Sequence, residues 1–422
     1  MLSYTHKTKQ GNRMKFTKLS LIAALAVSAA VAGGDIAPAP APVEEAPQTT
    51  IDGKLTGYYI TADNGKDYSP TQSYDMFDKD WSQLGLAATL DVNHKFTDNI
   101  AMNLSAIGYV NTNRDIPFDY IGEYFEGEPQ GAFINVANIT ATFMDTTFIL
   151  GRQLLNTPML AGFDWLLAPG SFEAYTVANH SIENVTLLGS YVRTWRPNNA
   201  GNNWIDFTSD SDMQAVTGDP LAEGGNNWTV SAAYDNEKLS GSIWYYNVDA
   251  MNYTQFYVDG GYDFDVAKLA AQYVYTDWDN EDASNVIGVK ATATLGSFNL
   301  MAAYTNISDN VAGWVGVMDG LYTSSWNTAS GGSEGNNFKV KAATEFAGLT
   351  ASASYAYYEY DQNSIAGTED DGYEVDVILG YDFKSTDIVV IKDMDLNVVY
   401  TNTDYGLGGD TNALEIYANY KF

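Results

Sequence analysis

Residues 412–422 read NALEIYANYKF. Leu414, Ile416, Ala418, Tyr420 and Phe422 alternate with Glu415, Tyr417, Asn419 and Lys421. A period of two puts successive side chains on opposite faces of a strand, so this stretch has one apolar and one polar face. Soluble sheets alternate in the same way. The decision rests on whether the rest of the chain repeats the pattern, and how the repeats are joined.

Alternating runs recur about eighteen times, at 51–61, 82–96, 100–112, 133–143, 146–153, 171–179, 185–196, 227–235, 239–248, 252–262, 268–277, 285–295, 297–306, 336–346, 349–361, 373–383, 394–404 and 412–422. Their lengths cluster near the ~9–11 residues a tilted strand needs to cross a bilayer. The connections alternate between long (62–81, 113–132, 154–170, 197–226, 307–335) and short (97–99, 144–145, 235–238, 296, 347–348). Two places strain this scheme: a short connection at 249–251 and a long one at 384–393. Segregated loop lengths are a property of outer-membrane barrels, and a soluble sandwich has no reason to show them. The predicted fold class is therefore all-β: a transmembrane antiparallel β-barrel of about 18 strands over residues 51–422, with long extracellular loops and short periplasmic turns.

The faces agree. In 373–383 the outward set is Tyr373, Val375, Val377, Leu379, Tyr381 and Phe383, with aromatics at both ends as two interfacial girdles require. In 285–295 it is Ile287, Val289, Ala291, Ala293 and Leu295; in 336–346 it is Phe338, Val340, Ala342 and Phe346. The opposite faces carry Lys290, Lys339, Lys341, Glu374 and Asp376. A charge facing lipid at mid-membrane costs ~2–4 kcal/mol, so these five are assigned to a hydrated lumen. The strands at 51–61 and 133–153 have weaker outward faces, including Gly53, Gly57, Asn135 and Ala137, and read as contacts to another protein wall in a homo-oligomer.

The N-terminus gives the compartment. Lys15 and Lys18 precede an apolar run from Leu19 to Ala32 that ends in Ala30-Val31-Ala32, so residues 1–32 read as a secretory signal peptide with Met14 as the natural start. Residues 33–50, GGDIAPAPAPVEEAPQTT, read as a Pro/Ala/Glu-rich periplasmic linker, either a passive tether or a contact to the cell wall. No later stretch offers the ~18 consecutive apolar residues of a membrane helix.

The chain has no Cys, which excludes disulfides and thiolate chemistry. Removing residues 1–32 takes away five basic residues (Lys7, Lys9, Arg13, Lys15, Lys18) and no acid, leaving 16 basic and 53 acidic residues, a net charge of −37. Nucleic acid is excluded as a partner by its phosphates. Either cations are partners, or the acids only keep exposed loops soluble.

Residues 151–192 read GRQLLNTPMLAGFDWLLAPGSFEAYTVANHSIENVTLLGSYV. Gly151-Arg152-Gln153, Thr157-Pro158, Pro169, Ser171-Phe172-Glu173-Ala174 and Leu187 to Val192 resemble the Campylobacter-type major outer-membrane porins, and more loosely the substrate-specific porins of pseudomonads. The last strand, ending on Phe422, resembles the C-terminal signal of Gram-negative outer-membrane barrels. The resemblance implies a homotrimer of eighteen-stranded barrels in the outer membrane of a Gram-negative bacterium, in contact with lipid and lipopolysaccharide. It also implies that the third extracellular loop, 154–170, folds into the lumen, and that calcium associates with the protein. The loop's own residues are compatible: Leu154, Leu155, Met159, Leu160, Phe163, Trp165, Leu166 and Leu167 would form a large apolar patch if exposed. They pack either against the inner wall or over a neighbouring subunit.

For a narrowed pore, Asp164 and Glu173 are the acidic candidates and Arg152 and Arg193 the basic ones; opposed signs across a constriction orient dipolar solutes. The phase of 146–153 and 185–196 also allows Arg152 and Arg193 at the rim or an oligomer interface. Asp277, Asp279, Glu281 and Asp282 form one acidic loop cluster, and Glu369, Asp370 and Asp371 another. They read as calcium ligands, as solvated loops, or as anchors for calcium shared with lipopolysaccharide phosphates. No other cofactor is expected.

The expected function is a porin: a water-filled, weakly cation-selective channel for ions and small hydrophilic solutes. Two other classes compete. An enzyme is disfavoured: after processing only His94 and His180 remain, both near the periplasmic side, and no nucleophile, phosphate or zinc motif occurs. A surface adhesin with a plugged lumen would use the long loops 197–226 and 307–335, rich in Asn, Gly, Asp, Ser and Trp.

Overall fold

The computed structural model describes residues 48–63, 75–79, 81–112, 125–162, 166–218, 220–316, 320–328, 330–360, 370–385, 391–406 and 409–422. The expected signal peptide, most of the linker, Asp164 and Glu369 lie outside them.

Eighteen long strands follow one another: β1 (Thr49–Ala62), β2 (Ser82–Thr97), β3 (Ile100–Asn111), β4 (Gln130–Phe143), β5 (Thr146–Gln153), β6 (Ser171–Asn179), β7 (Val185–Arg196), β8 (Asn227–Asp235), β9 (Leu239–Val248), β10 (Tyr253–Asp263), β11 (Ala267–Trp278), β12 (Ser284–Leu295), β13 (Phe298–Ser308), β14 (Gly335–Phe346), β15 (Leu349–Tyr360), β16 (Asp370–Asp382), β17 (Met394–Asp404) and β18 (Asp410–Lys421). Each pairs antiparallel with the next, and β18 pairs back onto β1 from Lys54↔Lys421 to Ala62↔Ala413. Closure removes both sheet edges, which a lipid-embedded sheet cannot leave open. The predicted strands are all present, with ends shifted by up to three residues. No helix among the described residues is long and apolar enough to cross a membrane.

Alternation fixes the faces. Ile287, Val289, Phe338, Val340, Val377 and Leu379 are exposed on the outside. Aromatic pairs gird this surface at both ends, with Trp228–Tyr245, Tyr304–Phe338 and Tyr355–Tyr373 toward the long loops and Tyr262–Phe264, Tyr381–Phe383 and Tyr420–Phe422 toward the tight turns. Such rings sit at headgroup level, apolar on one side and wet on the other. One expectation fails. Asn135, read as outward, is buried inside, because a β-bulge opposite Ser105 and Ala106 shifts the phase of β4.

The short connection after β9 is a 3-10 turn, Asp249–Met251, closed by Asn252 at φ 58°. The 197–226 connection holds one short helix, α1 (Asp210–Thr217). Its Ser209 cap accepts from the Asp212 N–H, and Gly218 ends it at φ 71°.

A buried ion pair ties three of the long loops together. Arg196, at the end of β7, lies 3.4 Å from Glu126, and their side chains are 0% and 1% exposed. The guanidinium also donates to Asn135 Oδ1 (3.0 Å) and to the carbonyls of Pro169 (3.2 Å), Pro197 (3.0 Å) and Gly201 (3.3 Å), and stacks over Phe133 at 4.2 Å. Glu126 Oε2 accepts the Gly201 N–H at 2.6 Å. Burial pushes the Glu126 carboxyl above its ordinary range, against the opposing pull of Arg196 and that N–H. A buried charge whose partner is removed is costly, by ~3–5 kcal/mol. Glu126→Gln is therefore expected to loosen these loops by about that amount while the barrel persists. Protease cleavage of the loops in folded protein should rise, and Glu126→Gln/Arg196→Met should restore part of the protection.

Candidate functional site

The inside of the barrel is not empty. Residues 154–170 leave β5 and cross it. Leu155, Met159 and Leu160 pack on Trp244, Tyr246, Tyr257 and Val274 of β9–β11, while Leu166 and Leu167 pack with Tyr58, Ala87, Ile107 and Tyr109 of β1–β3. Tyr246 donates to Thr157 Oγ1 (3.1 Å), and Asn135 Nδ2 donates to Pro169 O (3.0 Å). Leu155, Met159, Leu160, Leu166 and Leu167 thus find their cover on the inner wall of the same chain, while Leu154 stays exposed. Phe163 and Trp165 lie outside the described residues.

A second loop, 309–334, also turns inward, which the sequence reading missed. It runs from the β10–β11 wall, where Gln255 donates to Gly313 O and Gln272 to Gly320 O, to the β16–β18 wall. There Thr328 and the Asn327 N–H donate to Glu374 (2.6 and 2.8 Å), and Trp326 donates to Glu415 (2.7 Å). The two loops meet in a two-residue parallel ladder, Val315↔Leu160 and Gly316↔Ala161. Glycine allows the approach: a Cβ at Gly316 would strike the Ala161 carbonyl, and one at Gly320 the Pro158 carbonyl. The signal was in the sequence. Val311, Trp314, Val315, Leu321 and Trp326 form the same kind of apolar set that marked 154–170.

Lys290, Lys339, Lys341, Glu374 and Asp376 all lie on the inward-facing phase of their strands. Lys290 sits over the Tyr322 ring at 3.7 Å, Lys339 donates to Ser324 O, and Asp376 accepts from Ser354 (2.8 Å). With the other inward charges they sort by sector. β11–β14 carry Lys268, Lys290, Lys339 and Lys341, against Glu345 and the neighbouring Asp259 of β10. β16–β18, β1 and β2 carry Glu374, Asp376, Asp382, Asp395, Glu415, Asp52 and Asp91, against Lys54, Lys95 and Lys421. Lys421 pairs with Asp395 at 3.1 Å. Below the loops, toward the tight turns, a cavity of about 900 Å³ is lined by Asp52, Lys54, Asp91, Asn103, Pro169 and Lys421 among others.

Of the expected constriction charges, Asp164 lies outside the described residues, and Glu173, Arg152 and Arg193 lie at the rim, the alternative left open for the two arginines. Glu173 follows the outward phase of Tyr175 and Val177, and Arg193 is the extra residue of a β-bulge between Val192, paired with inward Ala174, and Thr194, paired with Glu173. Arg193 is 3.7 Å from Glu173 and 3.5 Å from Asp206, with side-chain exposures of 48%, 27% and 29%. Arg152 stacks on Trp204 at 4.1 Å and donates to Ile134 O. These three form a rim cluster just beyond the stacked Tyr175–Tyr191 pair, not a gate in the lumen. The reason is phase: a one-residue shift moves a side chain to the other face.

The acidic residues at 277–282 do not converge, and of the second acidic cluster Glu369 lies outside the described residues. Glu281 Oε2 and the Asp282 carbonyl both accept from Asn310, and Asp277 is exposed on the outward phase of β11. Among the described residues, no three acidic or histidine side chains are grouped to hold a metal ion. His94 and His180 lie toward the tight turns, bonded to Thr49 (2.8 Å) and Thr186 (3.0 Å).

The fold has solved counterparts. OpdK of Pseudomonas aeruginosa, determined with vanillate, superposes with a TM-score of 0.72 at 14% identity, covering 89% of this chain and 98% of that one. OccAB3 of Acinetobacter baumannii gives 0.73 at 12% identity, covering 89% and 99%. OccK8 (OprE) of Pseudomonas aeruginosa gives 0.71 at 15%, covering 89% and 98%. At these identities the likeness shows a shared barrel fold. No curated protein sequence matches the chain. The sequence profile of the Campylobacter major outer membrane protein matches residues 14–320. The chain belongs to the Campylobacter major outer membrane protein family and is an outer-membrane β-barrel.

Proposed function

We propose that this barrel is a porin: a water-filled, weakly cation-selective channel through which ions and small hydrophilic solutes diffuse passively, working as a homotrimer. The observation that carries the reading is the inner wall. It is lined by ionisable and polar side chains around a cavity and is narrowed by two inserted loops. Such a wall acts on a passing solute by width and charge, with no bond made or broken.

Cation preference is supported by where the acids lie. Charge on the inner wall is close to balanced, whereas the long-loop end carries Asp206, Asp210, Asp212, Asp277, Asp279, Glu281, Asp282 and Asp309 with few bases among the described residues. An acidic mouth concentrates cations before they reach the constriction, and a near-neutral lumen makes the bias weak. Trimer assembly is supported by the small outward residues Gly57 of β1 and Ala137 and Ala141 of β4, which leave gaps between the exposed apolar side chains Leu55 and Ile139 for a second protein wall to fill.

Single-channel recording of the refolded protein across a salt gradient tests this. The expected result is conductance in steps of three, with a reversal potential on the cation side that grows in dilute salt, where screening is weaker. Neutralising Asp277, Asp279, Glu281 and Asp282 together should shrink that potential and leave the step size nearly unchanged. Folded protein that never conducts would replace this reading with a plugged, surface-binding barrel. The loop junction gives a second check. Gly320→Val forces 309–334 away from Pro158, at ~1–3 kcal/mol of overpacking, and is expected to change unit conductance without lowering the barrel's melting temperature by more than a few degrees.

A further inference from the structure

We propose that Gly53 is the seat of the Phe422 ring, and that this pair fixes the register in which the barrel closes. It does not depend on what the channel carries.

The outward phase of β1 reads Ile51, Gly53, Leu55, Gly57. Ile51 and Leu55 are 64% and 48% exposed, yet Gly53 between them is buried. The terminal ring covers it. Phe422 lies directly across the seam, its N–H donating to Gly53 O (2.9 Å) while the Gly53 N–H donates to Phe422 O (2.7 Å). The ring leans over the glycine, so that a Cβ there would strike its Cε1, Cε2 and Cζ atoms. Tyr420 stacks against the same ring at 6.0 Å between centroids. Gly53 does not have a positive φ. The position uses the missing side chain, not a special backbone, and an aromatic ring laid across a strand glycine fills the gap. Gly57 differs. A Cβ there would meet Leu86 Cδ2 and the Ala418 carbonyl only at 3.6 and 4.0 Å, which is ordinary contact. Gly57 leaves a gap on the outer wall, whereas Gly53 is filled by its own chain.

Register follows from this fit. Alternation forbids a slip of one residue, which would exchange the faces of β1, but it is blind to a slip of two. Such a slip would bring Phe422 opposite Ile51 or Leu55, where a large side chain takes the place of the ring. Gly57 could be reached only by giving up part of the ladder from Lys54↔Lys421 to Ala62↔Ala413. A ring that fits one position therefore selects one shear, and shear is linked to the size of the closed barrel. The seam joins the first strand to the last, so no tight turn sets its register.

The chain has no Cys, so engineered pairs report register during refolding from urea into lipid vesicles. Thr56 faces Asn419 in the observed register, and a slip of two would set it against Tyr417 or Lys421. Thr56→Cys is combined in turn with Asn419→Cys, Tyr417→Cys or Lys421→Cys, and samples are oxidised at intervals. The link between positions 56 and 419 is expected to form first and to dominate. Gly53→Val should delay it severalfold and let the slipped links appear, and Gly57→Val should do neither. Phe422→Ala should delay it as well, and adding Gly53→Val to that variant should delay it no further, as for two residues that act only through each other. The links form before the barrel is complete, so a variant that never reaches the folded state still answers. A Gly53→Val chain that forms the 56–419 link at the wild-type rate, without slipped links, overturns the proposal. So does a further delay from Gly53→Val in the Phe422→Ala background, since the glycine would then serve something other than the ring.

Discussion

Inside a bilayer every backbone N–H and C=O must be paired within the protein, and the rest of this structure follows from that requirement. A sheet meets it only by closing. Here closure depends on the seam between β1 and β18, where the Gly53 N–H donates to Phe422 O and the Phe422 N–H donates back to Gly53 O. Once the sheet is closed, alternation has only two destinations, lipid and lumen. The apolar phase goes outside, and every ionisable group on the strands is committed to the interior or to the rim.

That commitment creates the second problem, an interior lined with polar groups and large aromatic rings. The two inserted loops resolve it in part. Loop 154–170 covers Trp244, Tyr246 and Tyr257 with Leu155, Met159 and Leu160, which removes apolar surface from water at roughly 25 cal/mol per Å². Loop 309–334 covers Glu374 and Glu415 with matched donors. The barrel therefore has a small core on its inside, and the space left beside that core is the candidate pathway. Arg196 holds the root of loop 154–170 through the Pro169 carbonyl, so the placement of that part of the inner core depends on an ion pair at the rim.

The fold was legible in the sequence because its signal is local. Period two, the girdle aromatics of 373–383 and the long–short succession of connections each need only a few neighbouring residues. The inward assignment of Lys290, Lys341 and Asp376 was legible for the same reason. Arg152 and Arg193 were legible only as lumen or rim, because a bulge at Arg193 breaks the alternation of β7, whereas Glu173 follows the regular outward phase of Tyr175 and Val177. Asn135 was misread because of a bulge as well. The Arg196–Glu126 pair was invisible because its members lie far apart in sequence and carry no motif. Loop 309–334 was read as surface because its glycines, serines and asparagines outweighed its tryptophans, although a loop this apolar in patches needs cover.

The Arg196 hub has a consequence for how the outer surface can diversify. One guanidinium fixes carbonyls of two loops and the Glu126 carboxylate of a third, so those loops are not independent modules. Substitution would be free at positions remote from Glu126, Pro169, Pro197 and Gly201. At those four roots, a change in one loop would shift the other two and, through Pro169, the segment inside the barrel. Variation in surface identity and constancy of transport properties can thus coexist in one chain, divided by a single buried side chain.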